Sequence, residues 1–185
     1  MTSTKVDRAG LVRRAVVELV AERGIHGTSM SRVAEQAGVA TGTAYVHYAS
    51  KEELLIAAFV ETKWTLGEVV YRGLHPSGSS RDLFESVWRR TYDHLHEDPA
   101  VARFLAQIDE SPLRTRAHEA LPDDDPLLQL ADQMADDLVE LPIEILYELG
   151  LAPAVRLVAS DTHLDDRQLS GVIEACWRAV HRPDR

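Results

Sequence analysis

The chain has a single cysteine, Cys176, which excludes an intramolecular disulfide framework and any metal cluster built from several thiolates. Its longest uninterrupted apolar run is seven residues, Leu54–Val60, too short to cross a bilayer. The opening MTSTKVDRAG holds no apolar stretch before a small-residue cleavage site, so no secretory signal is expected and the chain reads as cytoplasmic. Proline is missing from the first 75 residues; all eight prolines lie at Pro76 or later. The strict apolar–polar alternation of a half-buried strand does not occur. Nor does a nucleophile–base constellation, a Walker loop or a dinucleotide glycine pattern. His94 and His96 are two apart and do not share a helix face, and His26 and His47 lack carboxylates at ligand spacing. No catalysis, metal or cofactor is therefore expected.

What is present is an ordinary globular balance, 45 % apolar and 27 % charged. The net charge of −10 argues at first against a polyanionic partner. The charge is unevenly spread, however. Residues 1–51 carry seven basic side chains (Lys5, Arg8, Arg13, Arg14, Arg23, Arg32, Lys51) and four acidic ones, whereas the remaining 134 carry 13 basic and 26 acidic. A basic head on an acidic body suggests a polyanion-binding part joined to a part with another task.

Apolar spacing of three to four residues recurs along the whole chain. Leu11, Val12, Ala15, Val16, Leu19 and Val20 form the stripe of a first helix that ends at Gly24 or Gly27. Helices are expected from Glu52 to about Gly73, 81–97, 99–110, 126–139, 142–159 and 165–181, with HPSGSS (75–80) and residues 111–125 irregular. The acid run Asp123–Asp125 precedes a helix, where carboxylates suit the positive end of the dipole. The expected fold is all-α: a three-helix head in residues 1–51, followed by an antiparallel helical bundle in 52–185, with about nine helices.

The segment TSMSRVAEQAGVATGTAYVHYASK (28–51) carries the most information. Ser29 can cap a short helix from Met30 to Ala37, and a second fits Thr41 to Tyr48. Ala34 is small enough for two helices to cross closely, Gly38 makes the turn, and Val39 and Ala44 supply apolar contact. That spacing is the one a helix-turn-helix needs to place its second helix in a major groove. By spacing alone, an ordinary αα-hairpin remains open.

GVATGTAYVHYASKEEL (38–54) resembles the DNA-binding signature of the TetR family of transcriptional regulators, and AVVELVAERGIHGTSMSRVAEQ (15–36) is similar to the helices that precede it there. Ala40 departs from a common capping serine, Tyr48 from a frequent Phe, and Met30 from a frequent β-branched residue. The resemblance implies a DNA-binding surface of Ser29, Ser31, Arg32, Thr41, Gly42, Thr43, Tyr45, Val46, His47 and Lys51. Gly42 would let backbone approach phosphate or a base edge, and Thr43 offers a hydroxyl and a methyl. Tyr45 and His47 bring polar tips, Val46 suits a thymine methyl, and Lys51 opens the next helix, where a cation suits phosphate. Ser29, Ser31 and Arg32 would grip the flanking backbone, with Lys5 and Arg8 adding charge. Tyr48 is expected to pack beneath the hairpin.

For residues 52–185 the resemblance implies a sensor and dimer body. Trp64, Trp88, Tyr92, Phe104, Ile108, Leu128 and Met134 would line an apolar effector pocket, although each is equally suited to core. The last two helices (142–159 and 165–181) would pair across a two-fold axis to give a homodimer. Expected partners are double-stranded palindromic DNA and a small-molecule effector, and no membrane. The mechanism implied is a repressor that leaves its operator when effector moves the helix after Ser50. The alternative is a helical ligand carrier or enzyme in which the hairpin is only structural.

Overall fold

A computed structural model describes residues 7–72, 74 and 78–182. The expected contact at Lys5, part of the HPSGSS loop and Pro183 lie outside the described residues. Eleven α-helices are seen among them: α1 (Arg8–Arg23), α2 (Met30–Gln36), α3 (Thr41–His47), α4 (Lys51–Arg72), α5 (Ser80–Glu97), α6 (Pro99–Asp109), α7 (Arg114–Glu119), α8 (Pro126–Asp132), α9 (Ile143–Gly150), α10 (Ala152–Ala159) and α11 (Asp166–Val180). Extended pairing among the described residues is confined to one antiparallel bridge, Leu138 with His181.

The chain divides into two compact units. The first takes in the described residues through Thr62 together with Arg103–Leu121, so it is larger than the 1–51 head expected from charge and motif. Asp7 caps α1, accepting from Gly10 N at 3.0 Å. Gly24, at φ 76°, ends the helix, with its N–H bonded to Val20 O at 2.8 Å. The α1 stripe of Val12, Ala15, Val16, Leu19 and Val20 is buried, as are Val33 and Ala34 of α2, Ala44 of α3 and Leu54, Leu55, Ala58 and Phe59 of α4. Phe104, Leu105 and Ile108 of α6 and Ala117 of α7 complete that core.

The second unit comprises Lys63–Ala102 and the residues from Pro122 onward. Ser79 and Asp82 form a capping box at the start of α5. Trp88 is wholly buried and donates its indole N–H to Gly150 O at 3.1 Å, while Phe84 packs against Trp177. Asp125 of the acid run accepts from the N–H groups of Leu127 and Leu128 at 2.9 and 3.3 Å, the capping role expected of it. Gly67 is needed for contact: a Cβ there would stand 3.1 Å from Pro126 Cβ.

Three element boundaries differ from expectation. Residues 111–125 are not wholly irregular, because α7 forms there around the buried Ala117, with His118 bonded to Asp109 at 2.8 Å. The helix expected over 126–139 stops at Asp132, and a 3-10 turn follows at Ala135–Asp137. The helix expected over 142–159 is two helices. Pro153 lacks an N–H and its ring collides with the carbonyl four residues earlier, so it belongs in the first turn of α10 rather than inside a continuous helix.

Candidate nucleic-acid interface

The turn between α2 and α3 is built around Gly38, at φ +66°. Val39 N bonds Ala34 O at 2.9 Å and Gly38 N bonds Glu35 O at 3.1 Å, the paired bonds of a Schellman ending. A side chain at Gly38 would meet no steric obstacle, so the left-handed backbone is what requires glycine. The helix that follows has no side-chain cap: Ala40 occupies the cap position and offers none. The free N–H groups at the start of α3 are thus left for an outside partner.

Only Ala44 of α3 is buried, and Tyr48, directly after it, packs below. The rest of the helix faces outward. Val46 is 82 % exposed and Tyr45 52 %, while Thr41, Gly42 and His47 are exposed and Thr43 half-buried. An 82 % exposed valine beside an exposed tyrosine contributes little to the fold of a free chain. Ser29, Ser31 and Arg32 are exposed as well. Ser29 Oγ accepts from Arg32 N at 3.4 Å as the cap of α2, and Arg32 Nη1 donates to Gly27 O at 3.2 Å.

Lys51 has partners within the chain that the motif did not suggest. Its ammonium donates to Ile25 O and Thr28 O, both at 3.0 Å, and thereby holds the α1–α2 turn. Ile25 O also accepts from Thr28 N at 3.4 Å, and the ammonium adds a charge-assisted bond to it and one to Thr28 O. Another set, not anticipated from the motif, fixes the hairpin from behind. Arg13 Nε and Nη2 grip Glu61 at 2.6 and 2.7 Å, and Nη1 donates to Tyr48 Oη at 2.7 Å. The Glu61 carboxylate, with Tyr48 behind it, raises the Arg13 pKa still further above neutrality. The signal in the sequence was Tyr48 itself, a hydroxyl where the pattern has a Phe.

The seven residues expected around an effector do not all fall in one unit. Phe104 and Ile108 are fully buried in the first. Trp64, Trp88, Tyr92, Leu128 and Met134 belong to the second, where Trp88 stacks on Tyr92 at 5.6 Å and Trp64 and Leu128 are half-buried. Burial pushes the Tyr92 phenol up from its ordinary pKa. Polar chemistry not foreseen lies in the same unit. Lys63 is only 5 % exposed, with Nζ 4.1 Å above the Tyr147 ring, and the Thr91 hydroxyl is buried with no hydrogen-bond partner among the described residues. Burial also raises the Cys176 thiol pKa, consistent with an inert packing residue.

A Schellman turn, a half-bare short helix and a long helix entered immediately after it define a helix-turn-helix DNA-binding regulator. Residues 12–58 match the model of the bacterial regulatory proteins of the tetR family, and residues 80–181 match the tetracycline-repressor-like C-terminal domain. The chain belongs to the TetR family of transcriptional regulators, which are not enzymes. The crystal structure of a TetR-family regulator from Haemophilus influenzae superposes with a TM-score of 0.77 at 25 % identity, over 98 % of this chain and 100 % of that one. A curated protein of Bacillus subtilis named fatty acid metabolism regulator is 49 % identical over 88 residues, 48 % of this chain and 45 % of its own. The Bacillus subtilis regulator FadR, solved in complex with stearoyl-CoA, has a TM-score of 0.68 at 21 % identity, over 90 % of this chain and 96 % of that one, and that likeness speaks to fold alone.

Proposed function

We propose that the chain is a homodimeric repressor whose two α3 helices read the half-sites of a near-palindromic operator, and that an effector bound in the second unit releases it. The observation that carries the reading is the outward face of α3, with Gly42, Thr43, Tyr45, Val46 and His47 on or near the surface and Val46 the most exposed large apolar residue among the described residues. Ser29, Ser31 and Arg32 flank that face as phosphate contacts, whereas Lys51 acts as a brace for the turn. Two such helices would enter successive major grooves about 34–36 Å apart. The place of action is the cytoplasm, where the DNA is. Among the described residues no helix is long and apolar enough to cross a membrane.

The dimer reading is supported by α9 and the residues before it. Leu141, Ile143, Ile145 and Leu149 are 40–43 % exposed, with Ile145 and Leu149 four residues apart on one face of α9 and Leu141 just before the helix. On α11 the apolar residues Leu169, Ile173, Cys176 and Val180 are already buried within one chain, which leaves Gly171, Ala175 and Ala179 outward. Small side chains there suit close approach of a second copy.

For the effector, the name of the Bacillus subtilis relative points to fatty-acid metabolism, and we take the class to be long-chain acyl thioesters or the acids themselves. The apolar residues Trp64, Leu128 and Met134 suit an acyl chain. Phe104 and Ile108 sit in the core of the first unit, and the Trp88 indole is committed to Gly150 O. The test is selection of a duplex from a random library, followed by footprinting with and without stearoyl-CoA. Two protected segments a helical turn apart, lost on adding the thioester, support the reading. A single protected segment, or protection unchanged by any acyl compound, refutes the dimer or the effector class respectively.

A further inference from the structure

The turn that joins α1 to α2 is held from two other helices. Lys51, at the start of α4, supplies two bonds from its ammonium. The second brace comes from α6, more than eighty residues along the chain. The Gln107 carboxamide uses both of its ends: Nε2 donates to Val20 O at 2.8 Å, and Oε1 accepts from Ile25 N at 3.2 Å. Val20 and Ile25 flank Gly24, where the chain passes through left-handed backbone to leave α1. The Ile25 N–H belongs to no helix, so without Gln107 it would depend on water. Thr28 adds a bond from its hydroxyl to Gly24 O at 2.9 Å, which tightens the same turn.

This turn has one structural consequence that matters for recognition. It leads straight to Ser29, the cap of α2, and so joins α1 to the α2–α3 pair. A carboxamide is suited to the task because it is rigid, uncharged and both donor and acceptor at fixed separation. Leucine is apolar, one bond shorter, and carries neither function. We propose that Gln107 is a positioning residue for DNA binding: it meets no DNA, and it holds the reading hairpin at its working angle through the Val20–Ile25 turn.

The test uses the full chain and a duplex selected by the wild-type protein from a random library. Gln107→Leu removes both bonds at nearly constant volume, and Gln107→Glu keeps the acceptor arm while losing the donor. Three quantities are read for each: affinity for the duplex, the slope of log affinity against log salt, and amide exchange at Ile25. For Gln107→Leu the expected result is roughly tenfold weaker binding, an unchanged salt slope because no phosphate contact is lost, and faster exchange at Ile25. Gln107→Glu is expected to weaken binding while exchange at Ile25 stays nearer wild type, and it carries the test should the leucine variant not fold. Affinity within twofold of wild type in a variant whose Ile25 exchange or Val20–Gln107 bond has been lost overturns the proposal, since the carboxamide would then serve only the fold. Unchanged Ile25 exchange in Gln107→Leu overturns it too.

Discussion

Replacing Gly42 by alanine should move stability and DNA binding in opposite directions. Gly42 is the second residue of α3, its φ is negative, and a Cβ built there meets nothing within 4 Å. The free chain therefore has no use for the missing side chain. Alanine is favoured over glycine by about 0.8–1 kcal/mol inside a helix, and by roughly half that in a first turn, where fewer bonds depend on it. For a chain of this size about 0.5 kcal/mol corresponds to a melting temperature raised by ~1–2 °C. On the proposed reading this end of α3 enters the groove, so the new methyl would meet DNA backbone or a base edge. Overpacking a tight contact costs about 1–3 kcal/mol, which is roughly a five- to 150-fold loss of affinity. Thermal denaturation and fluorescence anisotropy on a selected duplex read the two effects separately. Affinity within twofold of wild type would refute the close approach at Gly42, and a lowered melting temperature would refute the claim that the position is unconstrained in the free chain.

Lys51→Met should lower unfolding free energy by about 1–2 kcal/mol, since two bonds from a half-exposed cation are lost, and leave the salt slope of DNA binding unchanged; a slope reduced by about 0.9 would instead put Lys51 on a phosphate. Tyr48→Phe removes the hydroxyl that receives Arg13 and should cost about 0.5–1.5 kcal/mol in urea denaturation; no change would mean the Glu61 grip alone suffices. Ile145→Glu places a charge on the exposed face of α9 and should shift the chain from dimer to monomer in sedimentation equilibrium, with a melting temperature that no longer rises with protein concentration. An unchanged dimer would move the interface elsewhere.

Much of the first unit was legible because its signals are local. Ser29 as a cap, Gly38 as the turn and Ala44 as an inward contact of α3 each follow from side-chain chemistry within a few residues. Tyr48 beneath the hairpin was likewise readable. Its bond to Arg13 was not, because the partner lies 35 positions away and only tertiary packing brings it there. The same holds for Gln107, whose two partners are 87 and 82 residues distant, and for Lys51, whose two carbonyl partners lie 26 and 23 residues away. In the second unit apolar periodicity located the helices but not their breaks. Pro153 was visible, yet a proline ends one helix or starts another depending on what its neighbours bury. Apolar spacing also cannot separate core from pocket. Trp88 and Phe104 satisfied the pattern for either, and both are fully buried.

On the proposed reading α3 meets the DNA and the remainder of the chain supports it. Titrating isotopically labelled protein with a selected duplex and following every backbone amide tests this most directly. The largest shifts should fall on Thr41–His47, with smaller ones at Ser29–Arg32, and those at α9 and α11 should stay small. Shifts concentrated outside these segments, with Tyr45 and Val46 unmoved, would contradict the account.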